Sequence, residues 1–61
     1  MSQLSEKELS ALHDLLSEEE LLVKKFQMLA NHATDNNIKS EMEEISQRHQ
    51  SHFNKLYDHL S

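Results

Sequence analysis

The chain has no cysteine, proline, glycine or tryptophan. Each absence removes a class of structure. Without cysteine there are no disulfides and no thiolate metal sites, and the redox compartment is left open. Glycine and proline are the strongest helix breakers and among the commonest turn residues. A β-rich fold of 61 residues would need several tight turns, and this chain has neither of the residues that most favour them. Apolar runs stop at two or three residues, as in Leu21-Leu22-Val23. No membrane span or secretory segment fits that pattern, so the expectation is a protein without a membrane role, acting in the cytoplasm. Basic residues are also few, six against eleven acidic ones, for a formal net charge of -5. That balance argues against nucleic acid as a partner, because Lys and Arg on phosphates supply most of such affinity.

What remains is rich in Leu, Glu, Lys, Gln and Ala, all good helix formers. The length allows one domain, residues 1–61. A domain this small buries only about 60% of its unfolded surface and is marginal alone. Disulfides being excluded, the remedies left are oligomerisation and a metal held by His and carboxylate.

Ser5 and Glu8 form a capping-box pattern, and the acidic Glu6 and Glu8 suit the positive end of a helix dipole. From there Leu9, Leu12, Leu16, Val23, Phe26, Ala30 and Ala33 follow a 3,4 spacing. Leu15, Leu22 and Leu29 run beside them, widening the apolar stripe beyond what a two-stranded coiled coil needs. Ser17 to Glu20 is a second capping-box pattern and offers a break. The apolar phase runs through it unbroken, which favours one continuous helix.

Between Asn31 and Asn37 the pattern stops. Asn tolerates the left-handed conformation that ends helices, and Thr34 or Asp35 can cap the next one. A second seam follows: Ile38, Met42, Ile45, His49, His52, Leu56 and His59, with Phe53 and Leu60 beside it. So short a loop makes the helices antiparallel. The expected fold is all-α: a two-helix hairpin, about 5–33 and 36–60, dimerising into a four-helix bundle. Leu12, Leu16, Val23, Phe26, Ile45, Phe53 and Leu56 are the expected core and dimer residues. The half nearer the turn is expected to carry more of the packing.

Polar residues interrupt both seams, Glu19 on the first helix and His49 and His52 on the second. A turn near residues 35 and 36 sets Glu19 opposite His52, with His49 one turn away. One reading is a hydrogen-bonded pair that fixes register, as buried polar residues do in coiled coils. The other is a metal site. His49 and His52 are three apart and project from one helix face, and Glu19 adds a carboxylate from across the hairpin. In a two-fold dimer such a site is doubled. The ligand set suits zinc or iron, and copper or nickel as well. His13 and His59 read as exposed residues near the open end, and His32 as a helix C-terminal residue favoured by the dipole. No nucleophile set or phosphate loop is present, so the expected role is non-enzymatic, structural or interactive.

Leu12-His13-Asp14-Leu15-Leu16-Ser17-Glu18-Glu19, then Leu22 to Phe26, and Arg48-His49-Gln50 in the second helix resemble the coat-F-type spore coat proteins. The resemblance covers residues 8 to 60. It implies a ferritin-like bundle, association with the spore or its coat, and other spore or coat proteins as partners beside a second copy of the chain.

Overall fold

The computed structural model describes residues 3–60, and those residues are almost wholly helical. Helix α1 spans Glu6–His32. At its start the Ser5 N–H donates to Glu8 Oε1 at 2.9 Å, and the Glu8 N–H donates to Ser5 Oγ at 3.1 Å. The capping box therefore satisfies two N-terminal donors reciprocally. No break occurs at Ser17, because the apolar face on either side packs on the same neighbour.

The connector is three residues, Ala33 to Asp35. Ala33 leaves the helix in an extended conformation, its N–H still bonded to the Leu29 carbonyl at 2.9 Å. The expected left-handed helix end does not occur: among the described residues none has positive φ. An extended exit turns the chain without it, so neither glycine nor a left-handed asparagine is required. Asp35 then caps helix α2, Asn36–Tyr57, its carboxylate accepting from the N–H groups of Asn37 at 2.8 Å and Ile38 at 3.1 Å. The last residues, Asp58–Leu60, tighten into a 3₁₀ turn, so the α-helix stops just short of the expected end.

The two helices pack against each other as a hairpin. Leu12, Leu16, Val23 and Ala30 from α1 are buried, and from α2 only Ser46. The second seam is thus rotated by one row from its expected position. Met42, Ser46, His49, Phe53 and Leu56 face α1, while Ile38 and His52 lie at the edge. Ser46 is the reason. It is 3% exposed, and its hydroxyl donates to the Val23 carbonyl at 3.1 Å. A side chain that small lets the helix backbones approach. Of the expected core, Leu12, Leu16 and Val23 are buried, whereas Phe26, Ile45, Phe53 and Leu56 are only half-buried. Buried residues lie on both sides of mid-length: Val23, Ala30 and Ser46 toward the turn, and Leu12 and Leu16 toward the open end.

The hairpin measures 45 × 17 × 11 Å with a radius of gyration of 14.2 Å. A compact domain of this length has a radius near 10.5 Å, about a quarter smaller. The accessible surface is 4943 Å², against about 4,100 Å² for a compact protein of the same mass. Both comparisons describe an elongated pair of helices that leaves more surface accessible than a compact body of the same mass. Among the described residues, no helix is long and apolar enough to cross a membrane.

Candidate functional site

Glu19 stands near the middle of α1, on the side toward α2, and its side chain is 15% exposed. A carboxylate so placed loses water and needs partners. It finds two. His49 Nδ1 lies 2.5 Å from Oε1, and His52 Nδ1 lies 3.1 Å from Oε2. Each imidazole thus takes its own carboxylate oxygen. In the tautomer carrying hydrogen at Nδ1, His49 donates to Glu19.

The three side chains are positioned by their helices and by packing. His49 and His52 are one turn apart on α2, their rings 5.5 Å between centroids and edge to face. The Phe26 ring stacks on His49 at 5.6 Å, with 14° between planes. Phe26 is two turns along α1 from Glu19, so carboxylate and aromatic ring hold His49 from two directions. His52 is freer, its side chain 54% exposed. One potential ligand atom from each of the three residues falls within 4.8 Å of the others. The pairing expected between Glu19 and His52 is present, and His49, expected a turn away, joins it.

The remaining histidines take no part. His13, His32 and His59 are exposed, with His32 in the last turn of α1 and His59 in the 3₁₀ turn. Exposed ion pairs join Glu20 to Lys24 and Glu44 to Arg48, each four residues apart. Such pairs contribute about 0.3–0.5 kcal/mol apiece.

The surroundings of the cluster differ on the two sides of the hairpin. The Glu19–His52 contact lies on one side, where the row Leu15, Leu22, Leu29 meets the row Ile38, Ile45, His52. On that side Leu15, Leu29 and Ile38 are about half exposed, and Glu41, Glu44 and Arg48 border Ile45. The other holds an open groove lined by Glu20, Val23, Lys24, Gln27, Gln50 and Phe53. No nucleophile and base converge there, and the described groove residues offer no constellation for chemistry. Ser46 is the residue that periodicity overlooks. A lone serine among polar helix positions reads as surface, and its only distinguishing signal is small size next to a seam. In comparisons with known proteins, no family model, curated protein or solved structure matches this chain.

Proposed function

We propose that the protein is a non-enzymatic helical-bundle component, in which two copies pair through their apolar sides into a four-helix bundle. One observation carries the reading. Leu15, Leu29 and Ile38, each about half exposed, lie with Leu22 and Ile45 on one side of a single-layer hairpin. A two-layer body buries such a side. Two hairpins forming a compact protein would cover roughly 3,000 Å² in total, in the range of obligate homodimers at 2,000–5,000 Å². The face opposite is lined by Glu20, Lys24, Gln27 and Gln50 and suits solvent. The resemblance of Leu12 to Phe26 and of Arg48-His49-Gln50 to coat-F-type proteins supports a place in the spore or its coat. Ferritin-like describes the bundle this pairing would make.

Light scattering at micromolar concentration tests the pairing. The expected mass is twice the 7.2 kDa of one chain. Leu15→Glu with Leu29→Glu puts charge on the apolar side and yields monomer. Leu21→Glu with Met28→Glu charges a row of α1 on the far side and leaves the dimer intact. A well-folded wild-type monomer, or a dimer insensitive to the first pair, overturns the reading.

A further inference from the structure

We infer that Glu19, His49 and His52 bind a divalent transition-metal ion of the zinc or ferrous class, one per chain. Two imidazole nitrogens and one carboxylate oxygen are a ligand set for these ions, which hold three protein ligands and keep a further position for water. The set is assembled within a single hairpin, so the inference does not rest on pairing of two copies.

The geometry carries it. Both Nδ1 atoms point at the same carboxylate, and each takes a different oxygen. Three donor atoms therefore surround one small volume. A tetrahedral ion with bonds near 2.0–2.1 Å spaces its ligand atoms roughly 3.3 Å apart. The three atoms lie within 4.8 Å of one another, bracketing that spacing, with the His49–Glu19 contact at 2.5 Å on the close side. An ion enters by parting His49 from Glu19 by about 1 Å and drawing in His52. His52 is the most exposed of the three and has room to turn. His49 is oriented by the Phe26 ring, which stacks on its face and leaves the ring edge free to ligate. Ligation through Nδ1 requires the hydrogen that faces Glu19 to leave that nitrogen; it passes to solvent, and the ligating neutral imidazole carries its one hydrogen on Nε2.

The position adds a second reason. Elsewhere along α1 the side toward α2 is apolar: Leu12, Leu16, Val23, Phe26 and Ala30. A charged carboxylate in that line costs desolvation, and a pair with imidazole often returns little of it. A cation at the same place neutralises the carboxylate directly. It also ties the two helices together at mid-length, in a chain with no disulfide to do so.

The test is zinc titration of the full chain, read by native mass spectrometry and by thermal melting with circular dichroism. The expected result is one zinc per chain and a melting temperature that rises with zinc. His52→Ala alters an exposed side chain and is expected to keep the helical spectrum. Its zinc affinity is expected to fall about tenfold or more. Glu19→Gln keeps shape while removing the charge, and is expected to fall similarly. His13→Ala with His32→Ala removes two exposed histidines outside the cluster and is expected to bind as the wild type does. Equal affinity in wild type and His52→Ala overturns the assignment. So does loss of binding in the His13/His32 pair, or no zinc retained by the wild type. The same spectra report dimer mass separately, so failure of the metal site and failure of pairing are read independently.

Discussion

Leucine at position 46 looks favourable from periodicity, because it adds an apolar residue beside the second seam. The structure requires the opposite. Ser46 is almost wholly enclosed, and its Oγ reaches the Val23 carbonyl at 3.1 Å, so the α1 backbone itself passes at that level. A leucine side chain there meets backbone rather than space. Overpacking of this kind costs about 1–3 kcal/mol. A domain of this size has only about 3–9 kcal/mol in total. At roughly 4–8 °C per kcal/mol for a small domain, Ser46→Leu is expected to lower the melting temperature by about 5–20 °C. Ser46→Ala is the milder control. It removes the hydroxyl without adding bulk, and the Val23 carbonyl keeps its bond within its own helix. Its expected cost is about 0.5–1.5 kcal/mol. The assay is thermal melting by circular dichroism at one fixed protein concentration, since association shifts apparent stability. A Ser46→Leu protein melting at or above the wild-type temperature would refute the close approach of the helices at Val23.

Two further outcomes follow from the helix ends. Asp35→Ala removes the side chain that accepts from Asn37 and Ile38 and is expected to cost about 1 kcal/mol in melting experiments; an unchanged melt would mean that solvent caps α2 equally well. The Ser5 backbone N–H first, and the Ser5 side chain second, hold the exposed Glu8 carboxyl below its ordinary 4.5. A depressed carboxyl contributes stability that is complete above its unfolded value and is lost as pH falls through the folded one. Wild type is therefore expected to lose stability relative to Glu8→Gln only as pH drops below about 4.5, and a difference constant from neutral to acid pH would contradict this.

Much of the hairpin is legible in the amino-acid sequence. The Ser5–Glu8 spacing and the Asp35 position are local chemistry, decided within four residues, and both caps form where that chemistry places them. The turn is legible because apolar periodicity stops there. Its backbone was less so: Ala33 exits extended, and the left-handed end that asparagine suggests is unused. Glu19 and the two histidines stand out because they interrupt seams, and antiparallel pairing suffices to bring them to one level.

Sequence by itself determined that this protein is two helices, where each begins, and which polar residues meet at mid-length. Those features depend on residues close in the chain, or on the length of α1 against α2. Only the tertiary structure decided how α2 is rotated about its own axis. Its apolar and small residues occupy a wide arc, and periodicity is satisfied by either the Ile38–Ile45–His52 row or the Ser46–Phe53 row facing α1. The choice falls to volume. Ser46 admits the α1 backbone and Ile45 does not, so Ser46 turns inward and Ile45 moves toward the edge. That rotation sets His49 beneath the Phe26 ring, keeps His52 within reach of Glu19, and leaves the side carrying Leu15, Leu29 and Ile38 open.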